Sequence, residues 1–349
     1  MDRKLNNFAY YRLPGQSHYT FMAQSKGEPS AYDSVAELDG QEGFVMAPFM
    51  VSRQHPVLVM HPDVVENHEI QFQQNHASTK TTAPERPTEK AAYASAFAKF
   101  HAETQAGKFG KIVLSRCSPT DLPNDITPQD LFLKACNIYP HQFVALVCLQ
   151  QAGTWLMATP EILLDGNPEE WHTMALAGTM KREESMPDVS KTEWTKKNRE
   201  EQQYVSTYIK DVLSKHAGHI SEQGPYTVAA AHLLHLRTDF TFKLNNTANI
   251  GALIEALYPT PAVCGIPKEK ARAFISAYEQ IDRKYYSGFC GPLSLHGETH
   301  LYVALRCMEI VGKTANLYAG GGILHDSNME REWKETQTKM LTMHRLLNN

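Results

Sequence analysis

The stretch Phe289-Cys-Gly-Pro-Leu-Ser-Leu-His-Gly-Glu-Thr-His-Leu-Tyr-Val-Ala-Leu-Arg-Cys-Met308 decides the fold class. Two largely apolar runs, 289–295 and 301–308, flank a His296-Gly297 turn, which is the pattern of an antiparallel hairpin. Working outward, further strands are expected at 111–116, 143–149, 155–158, 173–177 and 315–317, with the second arm of the hairpin running over 301–309. Helices are expected at 91–106, 192–215, 249–257, 268–278 and 329–347, where apolar residues recur every three or four positions. Shorter apolar runs at 17–23, 44–51 and 57–60 read as strands of an N-terminal portion, residues 1–80. A polar, proline-bearing stretch at 73–90 reads as the one linker. Antiparallel hairpins interspersed with helices make the class α+β. No internal repeat or low-complexity tract interrupts what reads as one large domain over 1–349.

Composition narrows the function. The chain has 349 residues, 42% of them hydrophobic, and a net charge of −4 from 34 basic and 38 acidic side chains. That balance argues against a nucleic-acid or polybasic membrane binder. Apolar runs such as 143–149 fall far short of the roughly 20 residues a spanning helix needs, and Met-Asp-Arg-Lys-Leu-Asn-Asn is too polar for a signal peptide. The six cysteines form no C-x-x-C pair and read as small buried hydrophobes of a reducing cytoplasm. A cytoplasmic monomer is expected. Gly312-Lys313-Thr314 imitates the end of a phosphate-binding loop, but Cys307 stands where that loop needs a glycine.

Two helices carry carboxylates where surface helices would not. In 192–215 the stripe of Trp194, Val205, Ile209 and Val212 also collects Asn198 and Glu201. A buried carboxylate needs either a lysine or arginine partner or a metal ion. In 329–347, whose start is marked by a Ser327-Asn328-Met329-Glu330 capping-box pattern, Glu332, Glu335 and Lys339 share one face. The run Ala319-Gly320-Gly321-Gly322-Ile323 directly upstream reads as backbone that lets N–H groups approach an anion. Glu335 and Lys339 alone make an ordinary i,i+4 pair; two helices with inward carboxylates can also clamp one hard cation such as Mg²⁺.

Several motifs occur in one order: Lys111-Ile-Val-Leu-Ser-Arg116, Ala158-Thr-Pro-Glu161, Leu176-Ala-Gly-Thr179, Tyr258-Pro-Thr-Pro-Ala-Val-Cys-Gly265, Asp282-Arg-Lys-Tyr-Tyr-Ser-Gly288, Leu305-Arg306-Cys307, Ala319-Gly-Gly-Gly-Ile323 and Glu332-Trp-Lys-Glu-Thr336. Over about residues 90–347 the chain thereby resembles the chorismate-utilising enzymes, a family that includes anthranilate synthase component I, and within it the isochorismate synthases most. The resemblance implies a fold of large antiparallel sheets flanked by helices, with the site in a cleft between two halves. It also implies chorismate as substrate, Mg²⁺ as cofactor, and a place in menaquinone or catechol siderophore biosynthesis.

The same resemblance implies roles. Lys111 matches the general base that deprotonates water, and Glu161 the general acid on the departing hydroxyl. Such a base needs a lowered pKa and such an acid a raised one. Glu201 and Glu335 match the carboxylates that hold Mg²⁺, with Glu332 an acid just outside them. Arg306 matches the arginine that grips a substrate carboxylate with its planar fork, and Lys339 a second substrate-facing cation. Gly178, Thr179, His235, Ala262, Tyr286 and Gly320 match positions lining the pocket. Amine-transferring relatives lack the lysine at position 111 and resemble P-x-G-T where this chain has Pro261-Ala262-Val263, so no glutaminase subunit is expected. Salicylate synthases share the lysine and are the second reading. Three residues depart from the family pattern: Tyr258 stands for a histidine, Asn198 for an acid, and Gly321 for an alanine.

Overall fold

The computed structural model describes residues 5–71, 86–182, 188–230, 233–246 and 250–348. Six N-terminal strands come first: β1 (Phe8–Arg12), β2 (His18–Ala23), β3 (Ser30–Tyr32), β4 (Gly43–Ala47), β5 (Val57–Met60) and β6 (Val64–Glu69). Then follow α1 (Pro87–Gln105), β7 (Lys111–Asp121), α2 (Pro128–Ile138), β8 (Phe143–Leu149), β9 (Gly153–Thr159), β10 (Ile162–Asn167), β11 (Glu170–Lys181) and α3 (Lys196–His216). The rest comprises β12 (Ala217–Ala230), β13 (Leu233–Leu244), α4 (Ile250–Leu257), β14 (Gly265–Ile266), α5 (Lys268–Tyr278), β15 (Phe289–Leu293), β16 (Thr299–Val303), β17 (Cys307–Val311), β18 (Thr314–Ile323) and α6 (Met329–Leu347). The expected linker at 73–90 falls mostly outside the described residues, and its last four positions open α1.

Two nine-stranded antiparallel sheets result. One runs β14-β7-β18-β17-β9-β8-β1-β2-β6 and the other β12-β13-β11-β10-β16-β15-β4-β5-β3. The N-terminal strands extend both sheets. Strand alternation sorts side chains into layers. Phe44, Met46, Leu58 and Met60 of one sheet meet Ala145, Val147, Trp155 and Met157 of the other in a core between the sheets. Their neighbours Val45, Ala47, Val57 and Val59 face outward, in the core that α3 and α4 cover. On the other sheet, Val144, Leu146, Leu156 and Ala158 pack beneath α2 and α6. Four layers with sheets buried on both faces explain why these strands read as unbroken apolar runs.

The expected strand 301–309 is two strands in different sheets. β16 belongs to one and β17 to the other, and the chain crosses between them at Ala304-Leu305-Arg306, where Arg306 takes a left-handed φ of 47°. A second crossover lies beside it: Pro160-Glu161 joins β9 to β10. The two are stitched together by Val303 N–H donating to Glu161 O at 2.9 Å and Ala158 N–H to Arg306 O at 3.1 Å. Glu161 and Arg306 are thereby fixed side by side between the sheets. Gly312-Lys313, rejected as a phosphate loop, is the two-residue turn between β17 and β18, with Gly312 at φ 58°.

Candidate active site

Beside the crossovers is a cavity lined by Glu161, Gly178, Thr179, Glu201, His235, Ala262, Tyr286, Arg306, Gly320 and Lys339. Every residue expected to touch substrate is among them. Val113, Leu176, Val263, Leu305 and Tyr318 complete much of the apolar wall and were not singled out by the sequence reading.

Lys111 opens β7 and is fully buried, with Nζ 2.8 Å from Glu201 Oε1 of α3. That ammonium finds no well-aligned hydrogen-bond acceptor among the described residues. Burial pushes the Glu201 carboxyl up, but Lys111 and then Lys197 outweigh it and hold it down at about 2. The glycines upstream of α6 are strand residues paired with β7, Gly320 opposite Ser115 and Gly322 opposite Val113. This corrects the reading of that run as an anion-cradling loop. The glycines instead make room for side chains: a Cβ on Gly322 would lie 2.5 Å from Glu201 Oε1 and 2.6 Å from Lys111 Cε. On Gly321 it would lie 3.3 Å from Glu332 Oε2 and 3.8 Å from Glu335 Oε1.

Each carboxylate has its own lysine. Glu335 pairs with Lys339 at 2.8 Å, and Lys339 Nζ also donates to Gly320 O at 2.9 Å. Glu332 pairs with Lys197 at 2.5 Å and accepts from Ser327 Oγ at 2.9 Å, while its second oxygen is buried without a partner among the described residues. Burial, then the neighbouring Glu335, raises the Glu332 pKa. Lys197 was missed in the sequence; its signal is its place one turn before Glu201 on the same helix. Ser327 serves Glu332 and Leu324, so the cap of α6 is Asn328, which accepts from Arg331 N–H, one residue later than the capping-box pattern implied. As they stand, no three His, Cys, Asp or Glu among the described residues are grouped to hold one ion.

Glu161 is buried, and desolvation raises its pKa to about 7 despite Lys111, Arg306 and Lys339. A carboxyl at that value exists in both forms at neutral pH, as a proton donor must. Arg306 is lowered to about 10 by burial, so it stays cationic. Tyr258 donates to Pro48 O, tying the 258–265 segment to the N-terminal strands. The cavity thus presents an acid and two cations suited to an anionic ligand, while Lys111, Glu332 and Glu335 are not among its lining residues and Lys111 reaches it only through its pairing with Glu201. All six cysteines are free thiols, and no helix among the described residues is long and apolar enough to cross a membrane.

The model of the family described as chorismate binding enzyme matches residues 39–348. The isochorismate synthase EntC of Escherichia coli K12 is 30% identical over 254 residues, which cover 70% of this chain but only 64% of that protein. A crystal structure of a putative 2,3-dihydroxybenzoate-specific isochorismate synthase, DhbC from Bacillus anthracis, superposes with a TM-score of 0.82 at 23% identity, covering 99% of this chain and 97% of that one. Anthranilate synthase component I from Streptococcus pneumoniae superposes with a TM-score of 0.68 at 16% identity, covering 98% of this chain and 81% of that one. With its matched span running from the N-terminal strands to the last helix, this chain belongs to the chorismate-binding enzyme family.

Proposed function

We propose that the protein is an isochorismate synthase, an isomerase that converts chorismate to isochorismate. The observation that carries the reading is the buried Lys111 beside a cavity whose acid, Glu161, is raised to about 7. Lys111, in its free-amine form, takes a proton from water as the water oxygen bonds to ring carbon 2. Both ring double bonds shift, from carbons 1–2 to 1–6 and from 5–6 to 4–5, the bond from carbon 4 to its hydroxyl breaks, and Glu161 gives that hydroxyl its proton. One water enters and one leaves, so the net change is an isomerisation. Arg306 and Lys339 hold the substrate carboxylates, and Gly178, Thr179, Ala262, Tyr286 and Gly320 shape the wall.

The donor set fits Mg²⁺, a hard cation that takes carboxylate oxygens. The partnerless Glu332 oxygen and the space that Gly321 and Gly322 leave support the fit. Glu201 and Glu335 would hold the ion, with Glu332 adjacent. Bound there, it would supply positive charge for a substrate carboxylate. The fold is shared with amine-transferring enzymes, so it does not choose the nucleophile; Lys111 and Pro261-Ala262-Val263 favour water over ammonia. A cytoplasmic monomer without a glutaminase subunit, serving menaquinone or catechol siderophore synthesis, is the matching cellular reading.

The test is the product profile of purified protein with chorismate and Mg²⁺, with and without ammonium, read by chromatography and NMR. Isochorismate without pyruvate, abolished by EDTA, is expected. Salicylate with pyruvate would install the salicylate synthase reading, and an aminated product would overturn the role of Lys111.

A further inference from the structure

We infer that His235 is a positioning residue for Arg306, holding the guanidinium through a single fixed imidazole tautomer. This rests on the proposed function only in naming the ligand that Arg306 grips.

The argument begins with a bulge. β11 and β13 pair with Ala177 opposite Leu236 and Thr179 opposite His235, leaving Gly178 as the extra residue. Gly178 takes a left-handed φ of 65° and packs against Asn198 of α3, where an added Cβ would lie 3.2 Å from that residue's backbone oxygen. The bulge turns the Gly178 carbonyl out of the ladder and onto the His235 ring, 2.9 Å from Nδ1. A carbonyl only accepts, so Nδ1 carries the hydrogen; Thr179 Oγ1 stands 3.5 Å from the same nitrogen. That leaves Nε2 as the acceptor, and the Arg306 guanidinium donates to it at 3.0 Å.

Both ring nitrogens are therefore occupied by protein, and the ring is buried. Burial, then Arg306 on the crossover and Lys339 of α6, push its pKa down to about 3, against the opposing pull of the Gly178 carbonyl and Glu201 of α3. The ring is thus neutral at any pH at which the protein would work. A neutral ring with no free nitrogen is no proton carrier. Its contribution is mechanical: Arg306 has a left-handed backbone, and the His235 Nε2 acceptor fixes the plane of its guanidinium. That acceptor does not compete with an anionic ligand for charge.

The test has two arms. Long-range ¹H–¹⁵N spectra of the whole protein labelled in histidine, with His235 assigned by its loss in His235→Asn, should show the neutral Nδ1–H tautomer unchanged from pH 5.5 to 8.5. A titration inside that range, or the Nε2–H tautomer, would overturn the inference whether or not chorismate is turned over. In kinetics, His235→Asn retains a donor for Gly178 but nothing that reaches Arg306, and should raise KM for chorismate about tenfold with kcat within about threefold. His235→Gln offers Arg306 a carbonyl oxygen and should restore KM to within about threefold of the native value. A loss of about a hundredfold or more in kcat in both variants at native KM would make His235 a proton-transfer group and refute the positioning role. Loss of turnover in the native protein with the expected tautomer would instead count against the proposed function alone.

Discussion

A carboxyl group sealed between two sheets behaves unlike one in water, and Glu161 is the clearest case. Its folded-state pKa of about 7 lies above its ordinary 4.5 because burial outweighs three nearby cations. A raised pKa favours the folded state only while the group is protonated. That contribution is full below pH 4.5 and is lost as the pH climbs through about 7, costing about 3 kcal/mol by pH 8. Glu161→Gln, which stays neutral, should therefore melt several degrees above the native protein at pH 8, with the gap closing toward pH 4.5, and should show no turnover. Calorimetry across that range measures it; equal melting temperatures at pH 8 would mean that Glu161 is not desolvated. In the active protein, kcat/KM should fall on the alkaline side with an apparent pKa near 7. The limb in kcat should lie higher, because a bound dianion disfavours the carboxylate further.

At the scale of elements, β18 shows how a strand can be built around neighbouring side chains. Its glycines adopt extended backbone that alanine could also adopt, so their conservation of space matters more than conformational freedom. Gly322→Ala should leave the circular dichroism unchanged yet lower activity about a hundredfold by forcing Lys111 and Glu201 apart. Gly321→Ala, whose Cβ would meet only the carboxylate tips of Glu332 and Glu335 at 3.3 and 3.8 Å, should be far milder. Full activity in Gly322→Ala would show that the Lys111–Glu201 pairing does not matter to turnover.

These elements also show what was legible in the sequence. α5 and α6 have the expected boundaries because each has one wet face and one buried stripe. α2 was missed although Thr127 and Asp130 cap it reciprocally behind Pro128. β13 was missed although Leu236, Thr238, Phe240 and Phe242 alternate with Arg237, Asp239 and Thr241 in burial. The break inside 301–309 had no local signal: a crossover between sheets is set by which sheet each neighbour joins. Motif order pointed to residues that line the cavity, Glu161, His235 and Arg306 among them, whereas the one-to-one lysine pairing, including Lys197, required three dimensions.

At the scale of the whole molecule, two sheets covered by helices leave a polar cavity where two crossovers meet, lined by Glu161, Glu201, Arg306 and Lys339 with Lys111 paired to Glu201 beside it, five residues from five separate parts of the sequence. We propose that this assembly adds water to the ring of chorismate. The most direct measurement is mass spectrometry of the product formed in ¹⁸O-labelled water. One solvent oxygen in each isochorismate molecule, located on ring carbon 2 by NMR, is the expected result. A product that carries no solvent oxygen, or nitrogen in its place when ammonium is present, would contradict the account.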